Sequence, residues 1–232
     1  IKGGYMEALT LFGAHLSPYV RKTRLVLAFK ALDYKHIPIV PFSSDKPAIF
    51  TDNSPSGKIP LLQVGEHFLS DSTVICSFLE RAYPERALLP LDNILAAKAQ
   101  WFEEYADSTM TSVIGGHLFA ERILAEAVFR RAPNLDEIEL AINTEIPAIF
   151  DYLTSELKGN YLVGAQISIA DVAVCGIFVA MHHCGVECDQ NKWPALASYI
   201  KRIGSLPFFK KNLEEEEIIL KQLSSNYKIN IC

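Results

Sequence analysis

Three short segments in the first third of the chain carry residue types that could do chemistry. Leu16-Ser17-Pro18-Tyr19-Val20-Arg21-Lys22 puts a serine where a helix would begin and a proline at its first turn. The free N–H groups and positive pole of such a helix start favour an anion, and a hydroxyl beside them can donate to it. Capping alone explains the same residues, so this segment by itself leaves both readings open. Ser54-Pro55-Ser56-Gly57-Lys58-Ile59-Pro60-Leu61-Leu62 is rich in turn residues and delivers Ile59-Pro60 to the start of a strand. An X-Pro bond is cis at modest cost, and a cis bond there would turn the preceding N–H and C=O outward, where an extended peptide could pair with them. Leu69-Ser70-Asp71-Ser72-Thr73-Val74-Ile75 sets an Asp-Ser pair at another helix start, again with capping as the plainer account.

Periodicity supplies the elements that would hold these segments. Ala8 to Gly13 alternates as a strand, Pro18 to Ala31 carries Val20, Val26, Leu27 and Ala31 at helical spacing, and Tyr34 to Val40 reads as a second strand whose Pro38 suits an edge. That is a β-α-β unit. Pro60 to Val64 and Glu66 to Ser70 flank Gly65 as a hairpin, and Ser72 to Tyr83 returns to helix with Val74, Ile75, Phe78, Leu79 and Ala82 on one side. Beyond Pro84 the strand signals stop at the connector Leu88-Leu89-Pro90-Leu91-Asp92. The remainder predicts helices over Ile94 to Leu124, Asp136 to Leu157, Ile169 to His183, Pro194 to Ile203 and Pro207 to Leu223. Ser168 and Asp171 form a capping-box pattern between Ile167 and Val172, before a helix that is apolar almost all round. Asp171 therefore reads as structural, and the acidic run Glu214 to Glu217 reads as a solvated helix face.

In order, Ser17-Pro18, Pro55-Ser56-Gly57-Lys58-Ile59-Pro60 and Asp71-Ser72-Thr73-Val74-Ile75 resemble the signature of the glutathione S-transferase family. The resemblance continues through Tyr83-Pro84, Leu89-Pro90 and Gly164-x-x-x-Ser168-x-x-Asp171, covers almost the whole chain and is of a cytosolic, serine-type, bacterial-like kind. It implies a thioredoxin-like α/β domain over residues 6–86, an all-helical domain over 93–225, glutathione as co-substrate on the first and a small hydrophobic electrophile in the cleft between them. By the same resemblance, Ser17 supports the glutathione thiolate and Ile59 supplies the main-chain pair for the cysteinyl unit. Asp71 and Ser72 receive the γ-glutamyl end, and Lys58 partners the glycyl carboxylate. Ser54 stands where many relatives have Asn, and Asp71 replaces the commoner Glu, one methylene longer. Ser17 in place of Cys argues against glutaredoxin-like exchange, because a hydroxyl forms no mixed disulfide. The implied activity is conjugation of glutathione to electrophiles, as in detoxification. The alternatives are a binding or regulatory protein that kept the fold without the chemistry, and peroxide reduction or isomerisation through the same thiolate. A homodimer is implied as well.

Composition bounds the partners. The chain has 232 residues, 50% of them hydrophobic and 21% charged, which excludes a disordered or fibrous protein. With 22 Lys and Arg against 27 Asp and Glu the net charge is −5, so there is no broad positive field to attract nucleic acid or an anionic membrane. The longest uncharged apolar run, Val172 to Met181, is short of the ~20 residues of a membrane span. Five cysteines without a CxxC pair fit buried thiols in a reducing compartment. Ile1-Lys2-Gly3-Gly4-Tyr5 before Met6 lacks the basic end and apolar core of a signal peptide, and a cytoplasmic location is expected. His182-His183-Cys184 with Cys188 holds metal-ligand types at no usual zinc spacing, so core thiols and helix-end histidines are expected and no metal. Trp101, Phe102, Tyr105 and Met110 fit core or pocket equally, and His15 reads as an exposed loop histidine.

Overall fold

The computed structural model describes residues 7–227, the last four by backbone only, so the readings made on Ile1 to Met6 and on Cys232 lie outside the described residues. The chain divides into two compact units, Ile1–Ala87 and Leu88–Cys232.

In the first unit β1 (Leu9–Phe12), α1 (Pro18–Phe29), β2 (Lys35–Ile37), α2 (Ala48–Thr51), β3 (Leu61–Val64), β4 (His67–Ser70) and α3 (Ser72–Ala82) follow in order. The strands form one sheet in the order β2-β1-β3-β4, with β1 parallel to β2 and the other pairs antiparallel. The β-α-β unit and the hairpin are therefore as the sequence predicts. β2 lies at an edge and stops at Ile37, because Pro38 has no N–H for a ladder. α2 was not expected: four residues carry no readable helical period. Phe50 on it is fully buried and packs with Phe12, Ile39 and Leu61.

Two apolar faces differ from expectation. α1 ends at Phe29, and Ala31 lies beyond it, exposed, at φ +56°. On α3 the buried stripe is Ser72, Ile75, Cys76 and Leu79, while Val74 and Ala82 are exposed. Positions three and four apart share a face of a helix, and Val74 falls outside that row.

The second unit is helical. α4 (Asn93–Tyr105) is capped by Asp92, whose Oδ1 accepts from the N–H groups of Ile94 (3.0 Å) and Leu95 (2.9 Å). The spiral then continues over Ala106–Leu124 with wider, i→i+5 turns, as in the Ala125 N–H bond to the Ala120 carbonyl, before a short α5 (Ala125–Ala127). Gly115-Gly116 and the β-branched Thr109, Thr111, Val113 and Ile114 in this stretch are poor α-helix formers. The helix expected over Asp136 to Leu157 is likewise divided into α6 (Leu135–Leu140), a wide-turn stretch Ala141–Glu145 and α7 (Ile146–Glu156). Pro147, which lacks an N–H, sits where the α-spiral resumes. α8 (Ile169–His183), α9 (Pro194–Gly204) and α10 (Pro207–Tyr227) complete the chain.

α8 runs through the core, as its all-round apolarity predicts, with only Val179 and His182 not buried. Asp171 in its first turn is fully buried. It accepts from the N–H groups of Leu162 (2.9 Å) and Ser168 (2.8 Å) and from the hydroxyls of Ser168 (3.0 Å) and Tyr199 (2.8 Å). Burial pushes this carboxyl up and the four donors pull it back. The acidic run on α10 is not wholly solvated. Glu216 is fully buried, because Phe209, Asn212, Glu216 and Leu220 share the inward face, and it meets His183 Nε2 at 3.0 Å. No helix among the described residues is long and apolar enough to cross a membrane.

Two stability measurements follow. Replacing Asp171 by Ala strands four buried donors at once, and urea titration should show a loss of about 3–5 kcal/mol. Glu121 is clasped by the Arg131 guanidinium and by the Asn134 N–H (2.8 Å), which hold its carboxyl down to about 2. Stability from this ionised group is complete above the ordinary 4.5 and disappears as pH falls toward about 2. Between those limits Glu121→Gln should lose stability less steeply with acid than the parent.

Candidate functional site

The three chemistry-bearing segments meet at one end of the sheet, and the strand register puts them there. Ile37, Phe12, Leu61 and Ser70 lie side by side in one row across β2, β1, β3 and β4. β1 leaves the sheet at Phe12 toward Ser17, β3 enters at Leu61 from Ile59-Pro60, and β4 leaves at Ser70 toward Asp71. Adjacent strands are ~4.8 Å apart, so the first and last of these exits are separated by about 10 Å. Both α1 and α3 begin there.

Ser17 is the N-cap of α1 and is half-buried. Its Oγ accepts from the Val20 N–H at 3.4 Å, its N–H donates to the Ala14 carbonyl at 3.1 Å, and its carbonyl accepts from the Arg21 N–H at 2.8 Å. Among the described residues no acceptor takes its hydroxyl hydrogen. The loop reaching Ser17 passes so close to α1 that a Cβ at residue 13 would lie 2.4 Å from Val20 Cγ2, which leaves room only for Gly13. Gly13 is held by its N–H to the Ile37 carbonyl (3.0 Å) and its carbonyl to His36 Nε2 (2.9 Å). His15 is half-buried with its ring centroid 4.0 Å from that of His36, so it is not the exposed loop residue expected. A histidine 21 residues away in sequence gave no local sign of that contact.

The second segment is a closed turn. Buried Ser54 donates its hydroxyl to the Lys58 carbonyl at 3.0 Å and accepts the Gly57 N–H on its own carbonyl at 2.9 Å, with Gly57 at φ +64°. Ser54 thus closes the turn from the side-chain side, where its short hydroxyl reaches the main chain. The Ile59-Pro60 bond is cis. Ile59 packs its side chain against the Phe12, Ile39, Phe50 and Leu61 cluster, while its N–H and C=O carry no hydrogen bond among the described residues. The Lys58 side chain is exposed and has no ion-pair partner among them.

Asp71 is the N-cap of α3 at φ +77°, ψ 130°. A non-glycine residue in that region costs ~1–3 kcal/mol and persists only where its surroundings hold it. Its Oδ1 accepts from the N–H groups of Thr73 (2.9 Å) and Val74 (3.2 Å), and its Oδ2 has no partner among the described residues. Ser72 beside it is buried, with a hydroxyl that likewise meets no protein partner there. The sequence reading missed one neighbour: Lys22 on α1 is buried, and its Nζ donates to Thr73 Oγ1 at 3.0 Å. The only advance sign was a lysine one position from Arg21 on a helix with few exposed places.

This end of the sheet therefore offers a hydroxyl donor at one helix start, an open main-chain pair, and a carboxylate with a hydroxyl at a second helix start. Such a row suits an extended peptide-like molecule with charge at its ends.

In the second unit, Phe102 and Met110 are fully buried core. Trp101 is half exposed and donates Nε1–H to Tyr152 Oη at 2.8 Å, and burial with nearby Tyr152 pushes the Tyr105 phenol up. The His182 to Cys188 segment does not gather ligands. His183 is turned to Glu216, Cys184 is buried with its carbonyl on Arg122 Nη1 (2.5 Å), and His182 is exposed. Cys188 is half-buried, unlike the buried Cys76, Cys175 and Cys184, and burial pushes its thiol up to about 11. Among the described residues no three metal-ligating side chains cluster.

Comparison with known proteins agrees with this architecture. Residues 11–87 match the family model for the glutathione S-transferase N-terminal domain, and residues 124–216 match that for the C-terminal domain. The chain is 27% identical over 219 residues to glutathione S-transferase Z1 of Arabidopsis thaliana, covering 91% of this chain and 94% of that protein. It shares its fold with a glutathione S-transferase from Rhodospirillum rubrum F11 (TM-score 0.80, 22% identity, 88% and 91% of the two chains). It shares it also with one from Methylobacterium radiotolerans solved with glutathione sulfonate (TM-score 0.71, 24% identity, 89% and 94%). With a thioredoxin-like sheet unit, an all-helical unit and family models over both, the chain belongs to the glutathione S-transferase family.

Proposed function

We propose that this protein is a glutathione transferase that ionises the glutathione thiol against Ser17 and conjugates it to small hydrophobic electrophiles. The observation that carries this reading is the hydroxyl hydrogen of Ser17, which has no acceptor among the described residues. Its oxygen already accepts from Val20, so the proton is left for an anion arriving at the start of α1. A free thiol with a pKa of about 8.5 is mostly protonated near neutrality. A donated hydrogen bond and a helix N-terminus stabilise its anion, and each unit of acidification corresponds to ~1.4 kcal/mol. Ser17 acts as a donor throughout and forms no covalent bond.

The rest of the row fits the tripeptide. The N–H and C=O of Ile59, unpaired among the described residues, would pair with the cysteinyl main chain in strand fashion. The Oδ2 of Asp71, without a partner among the described residues, would take the γ-glutamyl ammonium, with Ser72 and the first turn of α3 taking its carboxylate. Lys58, exposed and without an ion-pair partner among the described residues, would reach the glycyl carboxylate. The protein then gains mainly from holding a ready nucleophile in place.

We propose further that two copies associate. Ile94 and Trp101, two turns apart on one face of α4, are 77% and 51% exposed, and large apolar groups repeated on one face mark a contact surface. Sedimentation equilibrium at micromolar concentration should give twice the 25.9 kDa chain mass, and the single-chain mass would refute this.

Replacing Ser17 by Ala should lower kcat/KM for conjugation about 10²–10³-fold, as loss of one aimed donor does elsewhere. Ultraviolet titration should show the bound thiol returning toward ~8.5 while glutathione affinity changes little. A parent protein that leaves bound thiol no more acidic than in buffer, or that turns over no aryl halide, enone or epoxide, would refute conjugation. Turnover of hydroperoxides or cis-enones alone would assign the same thiolate to reduction or isomerisation instead.

A further inference from the structure

We propose that Lys22 is a positioning residue that fixes the distance between the two halves of the glutathione site, an inference that rests on the glutathione reading above. Lys22 sits five residues after Ser17 on α1, is buried, and donates from Nζ to Thr73 Oγ1 at 3.0 Å. Thr73 is also tied to the other half of the site, since its N–H donates to Asp71 Oδ1 at 2.9 Å. A continuous path therefore joins the two: the Ser17 carbonyl accepts from Arg21 N–H at 2.8 Å, Lys22 follows Arg21, Lys22 holds Thr73, and Thr73 holds Asp71.

The need for such a tie follows from the topology. Ser17 and Asp71 stand on separate helices that leave the sheet from strands two places apart. Apolar packing of α1 on α3 is tolerant of small sliding, whereas a ligand gripped at both ends is not. Directional bonds resist sliding, and one made by a buried ammonium is among the stronger. Lys22 need not touch the ligand to matter. It sets the spacing that a molecule reaching from hydroxyl to carboxylate must match.

This assigns a signature that general loss of stability or of positive charge would not give. A ligand spanning both helix starts should feel the loss of Lys22, and a ligand using only the Ser17 half should not. The probes are S-hexylglutathione and S-hexyl-cysteinylglycine, which lacks the γ-glutamyl unit, titrated by calorimetry. For Lys22→Met, Kd for the first should rise about tenfold, a change of ~1.4 kcal/mol, while Kd for the second stays within about twofold. Thr73→Val should reproduce this from the other end of the bond, and Thr73→Ser, which keeps the hydroxyl, should restore it. Because Thr73→Val and Thr73→Ser leave the buried lysine in place, they decide the matter should Lys22→Met fail to fold. Equal weakening of both probes would overturn the proposal, since Lys22 would then act on the Ser17 half alone, and so would an unchanged Kd for S-hexylglutathione in both variants. A parent protein that binds neither probe would instead remove the glutathione reading, and the tie with it.

Discussion

One row of the strand ladder governs the first unit. Because Phe12, Leu61 and Ser70 stand abreast, three separate segments, the first of them distant in the chain from the other two, open at the same edge. A shift of one residue in either pairing would invert the faces of the strands and would carry the Ile59 main chain or the Asp71 carboxylate away from Ser17. The register is secured from below by Phe12, Ile39, Phe50 and Leu61, a small apolar cluster on which Ile59 also rests. The hydrophobic packing of this unit and the aim of its polar groups are thus one arrangement.

In the helical unit three carboxylates find their partners within the unit. Asp171 gathers four donors, Glu216 meets His183, and Glu121 joins Arg131 and the Asn134 main chain. Each joins separate stretches of chain, and each would be costly to leave half made. The connector belongs to the same scheme, since the Leu88 carbonyl accepts the Ile169 N–H at 2.9 Å and so meets the start of α8. In the sheet unit, by contrast, Ser17, Ile59, Asp71 and Ser72 each keep a polar group without a partner among the described residues.

Much of this was legible in the sequence because it is written locally. Ser17-Pro18 and Asp71-Ser72 announce helix starts by residue type, Gly65 announces the hairpin, and Ser168 to Asp171 announces the cap of α8, and all four stand where predicted. What was not legible depends on partners distant in the chain. The burial of Glu216 is decided by His183, the placement of His15 by His36, and the role of Lys22 by a threonine 51 residues on. The wide turns of Ala106–Leu124 also escaped, because poor helix formers such as Gly115-Gly116 weaken an α-spiral without specifying what replaces it. Ser54 shows the converse case: a departure from the family pattern whose hydroxyl still closes the turn.

The contact between Gly13 and Val20 couples two positions that lie seven residues apart. A methyl group at residue 13 would be blocked by Val20 Cγ2 at 2.4 Å and Cγ1 at 3.2 Å, but only grazed by Val20 Cβ at 3.4 Å. The clash is made by the branches of the valine, and the φ of +158° at residue 13 adds a backbone strain of its own for any other residue. Trimming Val20 to alanine would remove the clash but not that strain, so glycine remains the residue that fits position 13. Any other residue at position 13, in a lineage or a mutant library, would have to shift the loop that delivers Ser17 to the start of α1.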